Sequence, residues 1–155
     1  MRREKRVIES VVYAVDELEP VYGRLYEAAF EAAGRAYAPY SGFQVGAAIL
    51  LANGEIVTGS NQENIAYPSG LCAERTALFY AGARYPDVAV RVLAVAAVKE
   101  GVRQPGVSPC GACRQVMVEA ETRAGAPIRI LLCGRDSATL FEGVSALLPY
   151  CFDSF

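Results

Sequence analysis

Two short segments carry the residues able to do chemistry. Cys72-Ala73-Glu74 places a thiol two residues ahead of a carboxylate, and Pro109-Cys110-Gly111-Ala112-Cys113 adds two more thiols three residues apart. The chain contains no histidine. A metal site must therefore be built from sulfur and oxygen, and no imidazole can serve as general base. A zinc centre that does chemistry keeps three protein ligands and leaves the fourth position to water, whereas a structural centre closes all four. Three cysteines beside an acid that is not itself a ligand fit the open kind.

Other readings compete on spacing alone. A structural zinc would recruit Cys133 or Cys151 as fourth ligand, but such sites commonly use two close cysteine pairs, and Cys72 has no near partner in sequence. The Cys110 to Cys113 pair at a helix start also has the form of a thiol oxidoreductase motif. That reading leaves Cys72-Ala73-Glu74 without a role. Free cysteines are often no more than small buried apolar residues. This suits Cys133 and Cys151 better than the three thiols set beside glycine and proline.

The elements that must position these groups follow from periodicity. Residues 21–37 carry Leu25, Ala28, Ala29, Ala32 and Ala33 on one helical face, broken at Pro39. Residues 43–51 are apolar and β-leaning, Asn53-Gly54 is a hairpin signal, and 55–59 is the returning strand. Helices are predicted over 73–83 and 111–122, and strands over 90–98, 128–133 and 137–141, with a last helical turn within 142–148. The run over 90–98 is almost continuously apolar, as in a strand covered on both faces. The order predicts an α/β fold, a three-layer α/β/α sandwich around a mixed sheet of about five strands. Cys72 and Cys110 each fall just before a predicted helix, and Cys113 lies one turn into the second. Helix starts carry partial positive charge and free amide hydrogens, which favour the thiolate that a metal needs.

Composition bounds the rest. A chain of 155 residues is one domain by length. It divides into an N-terminal extension, 1–19, and a single domain over 20–155. Val7, Ile8, Val11, Val12, Val15 and Leu18 recur at helical spacing, so the extension reads as a short amphipathic helix ended by Pro20. The 53% hydrophobic content is high for a soluble domain, yet no apolar run is long enough to cross a bilayer. A subunit interface is the expected use of the surplus. The net charge of -2 gives no electrostatic reason to bind nucleic acid. Five cysteines, an odd number, with no secretory signal ahead of them, predict a reducing cytoplasm rather than a disulfide framework.

Four blocks in this order resemble the small, homotetrameric class of cytidine deaminases. They are Pro39-Tyr40-Ser41-Gly42-Phe43-Gln44-Val45-Gly46-Ala47-Ala48, Asn61-Gln62-Glu63-Asn64-Ile65-Ala66-Tyr67-Pro68, Cys72-Ala73-Glu74-Arg75-Thr76-Ala77 and Pro109-Cys110-Gly111-Ala112-Cys113-Arg114-Gln115. The resemblance covers about 20 to 152 and implies a cytidine deaminase-like catalytic domain. Ile65 stands where that family usually has alanine. In zinc deaminases generally, a histidine often takes the place held here by Cys72.

The resemblance implies one zinc per chain held by Cys72, Cys110 and Cys113, with Glu74 carrying protons between water and the pyrimidine. The reaction implied is hydrolysis of cytidine or 2′-deoxycytidine to the uridine and ammonia, in pyrimidine salvage. Arg75 would donate hydrogen bonds to ligand sulfurs, and Gln115 would help orient the site. Asn61 and Glu63 would bind the ribose, Phe43 would pack on the pyrimidine, and Tyr67 and Phe152 would reach a neighbouring subunit's site. The implied partners are a free pyrimidine nucleoside and further copies of the chain in a homotetramer with shared active sites, and neither nucleic acid nor membrane. A blasticidin-type deaminase shares the cysteine and glutamate motifs and is the nearest alternative within this chemistry.

Overall fold

A computed structural model describes residues 1–154. Seven strands form one mixed sheet: β1 (Val11–Ala14), β2 (Phe43–Leu51), β3 (Ile56–Ser60), β4 (Val90–Lys99), β5 (Val102–Arg103), β6 (Arg129–Cys133) and β7 (Ser137–Phe141). Their order is β1-β7-β6-β4-β2-β3, with β5 paired to β4. Three helices cover it: α1 (Pro20–Ala33), α2 (Ala73–Arg84) and α3 (Gly111–Ala124).

Strand alternation sorts the side chains into two cores. Ala48, Val92, Ala94, Ala96, Leu131 and Cys133 point to α1, where they meet Leu25, Tyr26, Ala29 and Phe30. Ala47, Ile49, Leu93, Val95, Ile130 and Leu132 point the other way, against Ala77, Leu78, Met117 and Val118 of α2 and α3. The α1 face is lined with small residues, so that helix lies very close. A Cβ on Gly46 would sit 2.0 Å from the Ala29 carbonyl oxygen, inside any allowed contact. On the other face a Cβ on Gly59 would meet the Ala77 amide at 2.6 Å. Glycine at these two positions sets how near α1 and α2 approach the sheet.

Topology fixes where the two chemical helices begin. Strand β2 runs antiparallel to both β3 and β4, so those two run the same way. Helix α2 follows β3, helix α3 follows β4 and its short hairpin partner β5, and both helices pack on one face. Their N-termini are therefore brought to the same end of the sheet, outside the carboxyl ends of the strands where α/β folds place ligands. The parallel pairing of β4 with β6 closes the β4–α3–β6 crossover.

The three layers agree with the sequence reading, and three details differ. The extension is not a helix: Val11–Ala14 is a strand, antiparallel to β7 with Val11 opposite Leu140 and Ala14 opposite Ser137, followed by a short 3-10 turn over Val15–Glu17. The β-branched residues that mark the apparent helical stripe favour a strand, and β7 offers an unpaired edge. Pro20 occupies the first turn of α1, where its missing N–H costs nothing. Second, α1 ends at Ala33 rather than 37, because Tyr37 is drawn into a bridge with Gln62. Third, β5 raises the strand count. It is reached through Glu100-Gly101, both with positive φ (52° and 75°), the requirement of a tight two-residue hairpin met without the usual asparagine.

Candidate active site

Cys72 and Cys110 are the residues that open α2 and α3, both with extended backbone (ψ 153° and 164°) and neither using its side chain as a cap. That leaves both sulfurs free to converge. Cys110 Sγ lies 3.9 Å from Cys72 Sγ and 3.4 Å from Cys113 Sγ, and all three sulfurs fall within 4.8 Å of one another. None is in a disulfide. A tetrahedral zinc with Zn–S of about 2.3 Å needs sulfurs roughly 3.8 Å apart, so the three thiols fit that ion. Cys113 is fully buried, Cys72 half-buried and Cys110 exposed, which leaves the cluster open on one side.

Four-sulfur closure fails on geometry. Cys133 lies in the core against α1, on the opposite face of the sheet from Cys113. Cys151 is exposed in the tail beside Asp153. Among the described residues neither joins the sulfur cluster. An open three-sulfur centre remains.

Glu74, in the first turn of α2, is only 4% exposed. Burial raises its carboxyl above the ordinary carboxylate range, against the opposing pull of its own backbone N–H, the Cys113 thiol and the Arg75 charge. Burial, with the nearby Glu74 charge, also pushes the Cys113 thiol well up. Cys110 shows the opposite balance: burial works against it, but hydrogen bonds from Cys113 and Cys72 lower its thiol. Arg75 directs one guanidinium nitrogen at Cys72 Sγ, 3.6 Å away, and buries its Nε with no partner among the described residues. A buried donor left over beside a cluster of thiols fits a site meant to carry excess negative charge.

The remaining expected residues form a second, more exposed group. The Asn61 carboxamide accepts from Val45 N–H (2.8 Å) and donates to Phe43 C=O (3.0 Å), continuing the β2 ladder where β3 ends. Glu63 accepts from Tyr40 N–H (2.9 Å), Ser41 N–H (3.2 Å) and the Ser41 hydroxyl (2.5 Å). Asn61, Glu63, Asn64, Tyr67, Cys72 and Arg75 line a concavity of about 230 Å³ beside the sulfurs. A larger hollow of about 530 Å³ lies between α2 and α3 at their far ends, around Tyr85 and Arg123, and touches none of these groups. Phe43 is half-buried at the start of β2, while Tyr67 and Phe152 are 75% and 65% exposed.

The hydrogen bonds of Gln115 run to the tail. Its carboxamide donates to Phe152 C=O (2.7 Å) and accepts from Phe152 N–H (3.3 Å), tying the C-terminal tail to α3. Beside it the sequence reading passed over Arg114. That guanidinium donates to Pro109 C=O (2.8 Å), Leu147 C=O (2.5 Å) and Ser108 Oγ (2.8 Å), fixing the loop that carries Cys110. The available signal was a cation in the first turn of a helix, where the dipole disfavours it unless it has partners.

Comparison with known proteins agrees with this arrangement. Residues 21–125 match the family model of the cytidine and deoxycytidylate deaminase zinc-binding region. A cytidine deaminase from Halalkalibacterium halodurans is 50% identical over 128 residues, 83% of this chain and 91% of that protein. The crystal structure of cytidine deaminase from Burkholderia pseudomallei superposes with a TM-score of 0.72 at 37% identity, over 84% of this chain and 98% of that one. The cytidine deaminase structure from Mycobacterium tuberculosis gives 0.67 at 32% identity, over 86% and 98%. The match spans the strands and helices that bring the thiols together, and this chain belongs to the zinc-binding cytidine and deoxycytidylate deaminase family.

Proposed function

We propose that the protein hydrolyses cytidine and 2′-deoxycytidine to the corresponding uridines and ammonia, in pyrimidine salvage. The observation that carries this is the convergence of three thiols, open on one side, next to a buried carboxyl. In this reading Cys72, Cys110 and Cys113 hold one zinc ion. Zinc bound there supplies the Lewis acidity that makes water a nucleophile near neutral pH. Glu74 takes the proton of the water and delivers it to N3 of the pyrimidine, then helps protonate the departing amino group at C4. A carboxyl held above its ordinary range by burial suits a group that must both accept and give a proton in one turnover. Arg75 donates to Cys72 sulfur and draws off thiolate charge, which three sulfurs would otherwise supply in excess.

On the sugar side, Glu63 is already oriented by Tyr40 and Ser41, and keeps lone-pair capacity for a ribose hydroxyl. Asn61 keeps one amide hydrogen. Phe43 packs on the base. Tyr67 and Phe152, large and exposed, serve the sites of neighbouring copies in a homotetramer. Two further features fit a cytoplasmic enzyme acting on free nucleosides: the net charge of -2, and the absence among the described residues of any helix long and apolar enough to cross a membrane.

The deciding experiment is an absorbance assay with cytidine on the purified protein before and after zinc is stripped and restored. About one zinc per chain, with turnover lost and regained with the metal, is the expected result. Turnover of blasticidin but not cytidine would overturn the substrate assignment. Full turnover without zinc would overturn the chemistry.

A further inference from the structure

The C-terminal tail contains no helix or strand over residues 147–154, and chain ends of that kind normally fray. Here it is tied down at three points. Arg114 holds Leu147 C=O, Gln115 brackets the Phe152 backbone, and the third tie comes from the opposite end of the chain. The Arg6 guanidinium donates to Pro149 C=O and lies over the Tyr150 ring, 4.2 Å from its centroid.

The sheet delivers Arg6 to that place. Strand β1 runs antiparallel to β7 with Val11 opposite Leu140. Reading back from Val11, the chain leaves the ladder at the end where β7 runs on past Leu140, and five residues of extended chain can span roughly 16 Å from that register point. The anchoring does not end at β1: Tyr13, Val15 and Leu18 pack against the α1-side core, and Tyr13 meets the Tyr22 ring at 6.4 Å. The competing ion pair of Arg6 with Glu4, at 3.6 Å, is solvent-exposed and contributes little. The family match covers residues 21–125, so both Arg6 and the tail it holds lie outside the matched zinc-binding region.

We propose that Arg6 is a positioning residue: the N-terminal segment is a strap that orders the C-terminal tail and so sets where Phe152 is presented. The strap itself is a matter of geometry. Its effect on turnover rests on the reading above, in which Phe152 closes a neighbouring copy's site.

The test uses the full-length, zinc-loaded protein and compares Arg6→Ala, Arg6→Lys and a deletion of residues 1–9 that leaves β1 intact. Hydrogen exchange over 147–154 is expected to speed up about thirtyfold or more in Arg6→Ala and in the deletion, the scale of an exposed cation–π contact plus one charged hydrogen bond. Exchange in β4 and α3 stays as in the wild type. Arg6→Lys, which keeps the charge over the ring but loses the planar fork, falls between. The KM for cytidine is expected to rise about threefold in Arg6→Ala with kcat within about twofold, and to rise no further when Arg6→Ala is added to Phe152→Ala. Unchanged tail exchange in both Arg6→Ala and the deletion overturns the strap. A KM effect of Arg6→Ala that persists in the Phe152→Ala background overturns its action through Phe152. If Phe152→Ala leaves KM unchanged while Arg6→Ala still loosens the tail, the strap stands and the role given to Phe152 falls.

Discussion

The sulfur half of the site and the half assigned above to the sugar are built on different terms. Around the sulfurs everything comes from one chain: two helix starts, a buried Glu74, and Arg75 turned onto Cys72. Glu74 and Cys113 are buried there, and the geometry of the group is set by backbone that cannot move without disturbing the core. On the sugar side the polar anchors, Asn61 and Glu63, are fixed by neighbouring loops, but the apolar surfaces stand open to solvent, with Ile65, Tyr67 and Phe152 all more than half exposed. One half is complete within the chain, and in the function proposed above the other is finished by neighbouring copies. Chemistry tolerates little displacement, so it sits on rigid elements; recognition can be assembled between copies.

The sharpest way to test that division is to remove chemistry without touching assembly. Glu74→Gln keeps shape and hydrogen bonding but cannot carry a proton. Turnover of cytidine should fall about a thousandfold, near the middle of what a positioned acid–base group contributes, while zinc content and sedimentation stay as in the wild type. Loss of zinc together with activity would instead make Glu74 a structural prop for the sulfurs. A smaller effect is expected from Arg75→Gln, which should lower kcat about tenfold to a hundredfold with KM little changed. An unchanged kcat would mean that the contact to Cys72 does no more than hold α2.

The two halves also differ in how far they could be read from residue order. The sulfur half was legible because its geometry is local: cysteines at a helix start and one turn in must share a side, and apolar, β-leaning runs predicted the sheet that aligns the helices. What escaped depended on distant partners. Val11 and Val12 look helical by spacing, and only the unpaired edge of β7 makes them a strand. Gly46 and Gly59 read as ordinary strand residues until α1 and α2 are seen lying against them. Arg114 and Gln115 stand in the motif, but their true partners, Leu147 and Phe152, lie more than thirty residues away. The Phe152 position came from the resemblance to a family, never from spacing.

Tyr67→Ala tests the open half directly. Tyr67 makes a turn beside the concavity, with most of its ring in solvent. If that ring serves a neighbouring copy, its loss should raise KM about tenfold, the value of one well-placed aromatic contact across an interface. If the proposed tetramer forms, the variant's should dissociate, by sedimentation, at higher protein concentration than the wild type's. The sulfur half should be indifferent, so zinc content and the kcat of whatever tetramer remains should hold. A drop in kcat with KM unmoved would place the ring within the chemistry and erase the division.

The smallest expected effect concerns the anchor between the halves. Hydrogen bonds from the Ser41 hydroxyl, then from the Tyr40 and Ser41 amides, hold the Glu63 carboxyl below its ordinary value of 4.5. Because the folded value lies below the unfolded one, the ionised carboxylate favours folding above the ordinary value, and that contribution is lost as pH falls through the folded one. The loop over 39–43 hangs on this carboxylate, since Ser41 also receives the Phe43 amide at 2.9 Å. Glu63→Gln should therefore be less stable than the wild type at neutral pH, by an amount that stays flat down to about 4.5 and narrows below it. Urea denaturation across the acid range reads the difference. A gap that keeps its size into strong acid would mean that the amide replaces the carboxylate only in shape, and that the charge of Glu63 matters to the nucleoside alone.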